Sequence, residues 1–210
     1  MSSSGRKRER VAQKLRTRRA LLAAANELIA EGKAPTVAEV ADAAMVSRAT
    51  AYRYFPTQEA LLVESPLDVA APTVESLFSD DAAPADPEDR VALVHNALYD
   101  LSRDHEAEFR LFLRASLLRS LGDGDDTGDP FRGARRSLLL DAALAPLADE
   151  LPTHEIENLK TALSMMVGVE AMVVLRDVLR LDHAQAKASG EWAVRQMVRA
   201  VRRRRGEKRT

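Results

Sequence analysis

The segment Ser47-Arg-Ala-Thr-Ala-Tyr-Arg-Tyr54 gathers arginine, tyrosine and hydroxyl side chains into eight residues. Ser47 is of the type that caps a helix N-terminus with its side chain, so a short helix is expected over Arg48–Tyr54. Side chains that follow such a cap stand outward at a helix start, from which a helix in the major groove reaches base edges. The first-turn amides and the helix dipole favour a phosphate at the same end. The chemistry on offer is hydrogen bonding to a polyanion.

The neighbouring elements must hold that helix in place. Thr36-Val-Ala-Glu39 fits a capping box, which opens a second short helix over Val37–Ala43. Ala44-Met45-Val46 is the break between the two, and this spacing is that of a helix-turn-helix. Val37, Val40, Ala41, Val46, Ala51 and Phe55 can close a small core, and Ala41 is small enough for a close helix crossing. Pro56 stops the second helix and Thr57 caps the next one, from Gln58. Upstream, Val11–Glu31 reads as a helix ended by a C′ glycine, Gly32. Residues 1–13, with Arg6, Lys7, Arg8 and Arg10, read as a disordered basic arm that either enters a minor groove or is only a solubilising tail.

Charge is divided unevenly. Residues 1–56 hold eleven Lys/Arg against five Asp/Glu, a net +6, while the rest carries −7. One end is therefore suited to a polyanion and the other is not. With 46% hydrophobic and 30% charged residues but only 4% aromatics, and without β-branched runs, the chain reads as all-α. The absence of cysteine excludes disulfides, thiolate zinc sites and cysteine nucleophiles. The basic N-terminus is not followed by an apolar stretch, so no signal peptide is expected. No run of about 18 apolar residues is present to span a membrane, and a cytoplasmic location is expected.

Further along, Asp86-Pro87 is a cap followed by proline at the first helical position. Helices are expected at about 87–103, 105–121, 131–150, 153–181 and 184–204, bringing the total to about nine. The division expected is 14–62 for a three-helix reading head and 63–210 for a larger helical domain, joined within 62–79 by a continuing helix.

The run from Thr36 to Leu62, with Tyr52-Arg-Tyr-Phe-Pro56 and Glu59-Ala-Leu-Leu62 as its most specific parts, resembles the DNA-binding domain of the tetracycline-repressor (TetR) family. The likeness is strong over 14–62 and looser later, through helix number and length, Gly168-Val-Glu-Ala to Leu175-Arg-Asp, and Trp192. It implies that Arg48, Ala49 and Tyr52 face bases, Arg48 on guanine O6/N7 and the other two on thymine methyls. Thr36, Ser47, Thr50, Arg53 and Tyr54 would hold phosphates and set register; Tyr54 could also be half core. Gln58 stands where the family usually has lysine, so its phosphate contact would lack a charge. Met45 stands where the turn commonly has glycine, which alters the turn slightly or sends Met45 inward.

The resemblance also implies a homodimer on double-stranded DNA, built from the last two long helices. Met165, Gly168, Met172, Leu175, Leu179, Trp192, Met197 and Val201 are the candidate interface residues, with Gly168 and Ala171 permitting close approach; a monomer's core is the other reading. A ligand pocket for a small hydrophobic or amphipathic effector would lie among residues 87–181, with His95, Tyr99, Phe109, Phe112, Leu113, Met166 and Glu170 as candidates. Each of these is as well explained by plain core or surface. The function implied is a repressor released from a pseudo-palindromic operator; a regulator or activator answering to no small ligand is the alternative.

Other patterns are weaker. Asp123 to Asp129 matches five positions of a calcium loop, but Ala134 stands where the bidentate glutamate belongs, so a solvated acidic loop is expected. The histidines form no metal motif; no nucleophile elbow or phosphate loop is present. No catalytic residue, metal or cofactor is expected. Arg202 to Arg205, Lys208 and Arg209 would complement the last helix's dipole or touch DNA.

Overall fold

A computed structural model describes residues 3–79, 83–120 and 134–208. Among them are eleven α-helices and no strand: α1 (Ser3–Ala30), α2 (Val37–Ala43), α3 (Arg48–Tyr54), α4 (Gln58–Ala70), α5 (Val74–Phe78), α6 (Pro87–Asp104), α7 (Glu106–Ser120), α8 (Ala134–Leu144), α9 (Thr153–Met166), α10 (Val169–Val173) and α11 (His183–Lys208). A 3-10 turn follows α8 at Ala145–Asp149, and a π-helical turn follows α10 at Val174–Val178. The chain divides into two compact units, Met1–Ala70 with Ala107–Phe131, and Ala71–Glu106 with Arg132–Thr210.

In the first unit α1 starts at Ser3, so the basic arm expected to be disordered over 1–13 is helical from residue 3. Arginine, lysine, glutamate and glutamine are good helix formers and no proline interrupts them. The C-terminal end of α1 is closed by a Schellman motif: Gly32 has φ 81°, its N–H donates to the Ile29 carbonyl at 2.9 Å, and the Lys33 N–H donates to the Leu28 carbonyl at 3.1 Å. Leu21, Leu22, Ala25, Val37, Val40, Ala41, Ala51, Phe55 and Leu61 make one core, with Leu28, Val46 and Tyr54 packed on its edge. Arg18 is buried in this unit, its guanidinium 4.9 Å from the centre of the Phe55 ring and ion-paired with Glu64.

In the second unit α6 and α11 pack together along their lengths. Asp86 caps α6 by accepting from the Glu88 N–H at 2.8 Å, with Pro87 next, as the sequence predicts. The acidic first turn of α6 is matched by α11: Arg199 donates to Glu88 at 2.8 Å, Arg195 to Asp89 at 2.5 Å, and Arg202 to Asp86 at 3.0 Å. Arg202 also reaches Glu150 at 3.3 Å, so its charge is paired inside the unit.

The long helix expected over 153–181 is broken. Val167 is extended and Gly168 has φ 109°, a conformation that L side chains rarely adopt, and the segments on either side meet at a 47° bend. Arg136 of α8 fills the break, donating to the Ser164 carbonyl at 2.8 Å and to Glu170 at 2.6 Å. A Cβ on Gly168 would lie 2.5 Å from that guanidinium. The glycine therefore makes room for an internal ion pair between Arg136 and Glu170. No single described helix is long and apolar enough to cross a membrane; α9 with the segment after it passes only as a bent pair. The short helix α5, with its Thr73–Ser76 capping box, was not expected, and it and the break at Gly168 raise the helix number above nine. The acidic loop at 123–129 lies outside the described residues.

Candidate nucleic-acid interface

The two short helices form with the predicted bounds and the predicted caps. The Thr36 hydroxyl oxygen accepts from the Glu39 N–H at 3.2 Å while the Thr36 N–H donates to the Glu39 carboxylate at 2.7 Å. Thr36 also donates its hydroxyl hydrogen to that carboxylate at 2.8 Å, so these bonds hold the Glu39 pKa below its ordinary value. Ser47 caps α3, accepting from the Thr50 N–H at 3.2 Å and donating to the Thr50 hydroxyl at 2.8 Å.

The turn between them is a second Schellman motif. The Met45 N–H donates to the Asp42 carbonyl at 3.2 Å and the Val46 N–H to the Ala41 carbonyl at 2.9 Å. Met45 occupies the left-handed position with φ 54°, yet its side chain is 94% exposed. The turn therefore keeps its glycine-type backbone with a methionine in it, and Met45 does not pack inward. Because no apolar contact holds that side chain, Met45→Gly is expected to stabilise the protein by roughly 0.5–1 kcal/mol, the relief of left-handed strain less the extra chain entropy of glycine. A rise in the denaturant midpoint at unchanged slope would record it; a fall would contradict the strained position.

Helix α3 shows two faces. Ala51 and the following Phe55 are buried against α1 and α2, whereas Arg48, Ala49, Tyr52 and Arg53 are exposed, Tyr52 by 47%. The face implied to read bases is thus the outward one. Thr50 is half-buried, and Tyr54 is half-buried against the core with the Arg53 guanidinium 5.7 Å from its ring centre. Gln58 uses one side-chain N–H on the Ala34 carbonyl at 2.9 Å, which fastens α4 to the loop before α2.

Two residues of this unit have roles that sequence reading missed. Arg18 counts formally toward the basic end but is buried; its place with Leu21, Leu22 and Ala25 on one helical face is the signal that could have shown it. Asp42, at the end of α2, binds Arg48 through two bonds, Nη2 to Oδ2 at 2.7 Å and Nε to Oδ1 at 3.3 Å. Those bonds lower the Asp42 pKa and raise that of Arg48. Only the turn brings together residues six apart, so no helical periodicity reveals the pair.

The candidate effector contacts are distributed over both units. His95 and Tyr99 are buried in the second unit with ring centres 6.0 Å apart; His95 Nε2 lies 3.2 Å from the Lys187 carbonyl and the Tyr99 hydroxyl 3.1 Å from His183 Nδ1. Burial lowers the His95 pKa, and a Cβ on Gly190 would strike its ring at 2.3 Å. Met166 and Glu170 belong to the same unit, but Phe109, Phe112 and Leu113 belong to the other.

The candidate interface residues also divide. Met165, Leu179 and Trp192 are exposed, as are Val174 and Val178, while Leu175, Met197 and Val201 are half-buried. Met172 is fully buried and belongs to its own unit's core.

Residues 21–64 match the family model described as bacterial regulatory proteins, tetR family. No curated protein and no solved structure matches the chain.

Proposed function

From the chain's membership of the tetR family of bacterial regulatory proteins, which makes it a DNA-binding regulator of transcription, we infer that it works in the cytoplasm as a homodimer on a pseudo-palindromic operator and acts as a repressor. The observation that carries the reading is the outward face of α3, where Arg48, Ala49 and Tyr52 stand exposed while Ala51 and Phe55 anchor the opposite side. Arg48 pairs with guanine O6/N7, and Ala49 and Tyr52 touch thymine methyls. Ser47, Thr50, Arg53 and Tyr54 contact phosphates, which set register without reading sequence.

The homodimer is supported by five large apolar side chains that the single chain leaves in water: Met165, Val174, Val178, Leu179 and Trp192. Apolar groups of this size left exposed on adjoining elements mark an interaction surface. A two-fold dimer presents two copies of α3 to half-sites about one helical turn apart. Release by a small apolar or amphipathic effector rests on the family resemblance. Operator and effector would then weaken each other's binding by the same factor, which titration of a preformed operator complex with a compound library reads directly.

Selection of bound sequences from random duplexes tests the reading head. The wild-type protein is expected to enrich a two-fold symmetric site. Arg48→Ala should lose roughly 1–3 kcal/mol and one guanine preference in each half-site. An unchanged preference in that variant would remove Arg48 from the base-reading set.

A further inference from the structure

We propose that Asp42 is a positioning residue for base reading, a buttress that fixes the Arg48 guanidinium so that only its end-on edge is presented to DNA. The proposal rests on the assignment of Arg48 to a base. The guanidinium has two usable edges, one made by Nε–H and one Nη2–H, the other by Nη1–H and the second Nη2–H. Asp42 takes the first, with Oδ2 2.7 Å from Nη2 and Oδ1 3.3 Å from Nε. The second is left with two parallel donors, the pattern that guanine O6 and N7 accept.

The location makes this an unusual use of a carboxylate. Both side chains are exposed, at 59% and 65%, on the surface that faces a polyanion, where a negative charge lowers affinity for every sequence. A lone exposed arginine swings among rotamers and pairs with any phosphate or base acceptor in reach. Held side-on, it meets adenine's N6 amino group donor to donor and cannot turn away. Asp42 thus exchanges general affinity for discrimination at one base pair.

Selection and competition binding on operator duplexes, with wild type, Asp42→Ala, Arg48→Ala and the double variant, test this. Asp42→Ala is expected to lose most of the roughly 5–150-fold guanine discrimination that a bidentate pair supplies, and to bind random duplex more tightly. Asp42→Asn, which keeps the shape and one acceptor oxygen, should fall between. In the Arg48→Ala background, Asp42→Ala should leave base preference unchanged. Discrimination kept in Asp42→Ala, or the same loss in both backgrounds, overturns the buttress while leaving Arg48 as a reader. An unchanged preference in Arg48→Ala overturns both, so the two failures are distinct. Thermal melts matching wild type separate positioning from folding.

Discussion

Phe55→Ala is expected to unfold the reading head locally, at a cost of about 3–5 kcal/mol for a large buried aromatic. The ring is 1% exposed and closes the core that α1, α2 and α3 share. It also lies beneath the Arg18 guanidinium, which is buried and paired with Glu64. Truncation therefore opens a cavity beside a buried charge and removes the aromatic face that the guanidinium stacks on. Amide hydrogen exchange resolved by segment measures the effect. Protection in α1–α4 should fall by more than about a hundredfold, while α6, α9 and α11 keep theirs, and specific DNA binding should disappear. Equal protection in α1–α4 would show that Phe55 is not the keystone of that core.

The second large effect concerns assembly. Trp192→Glu should raise the dimer dissociation constant by at least about thirtyfold, the loss expected when a hot-spot aromatic is removed, and more because a carboxylate would be buried in its place. Trp192 is 65% exposed in the single chain, so little intrachain packing is forfeited, and glutamate is a good helix former in α11. Sedimentation at micromolar concentration should then show the 23.1 kDa chain alone. Operator affinity should drop because each half-site must be bound separately. A variant that stays dimeric would place the interface elsewhere.

The helix-turn-helix was legible in the sequence because its signals are local. Thr36 with Glu39, Ser47 with Thr50, and Pro56 with Thr57 act over three or four residues, and each formed as read. The apolar spacing of Val37, Val40, Ala41, Ala51 and Phe55 likewise identified the core face. Gly32 and the Asp86-Pro87 start of α6 belong to the same class. Capping and periodicity need no knowledge of what lies across the fold.

Tertiary structure decided everything that depends on distant partners. Arg136 meets Gly168 and Glu170 from another helix, so the break in the expected 153–181 helix and the Arg136–Glu170 pair could not be read from periodicity. Arg202 turned inward because Asp86 and Glu150 wait for it on other elements. Met172 and Trp192 share an apolar character, yet one is core and the other surface, since hydrophobicity along a helix does not say which side is already covered. The Asp42–Arg48 pair stands between the two cases. Both residues are local in the chain, but only the left-handed backbone at Met45 turns one toward the other.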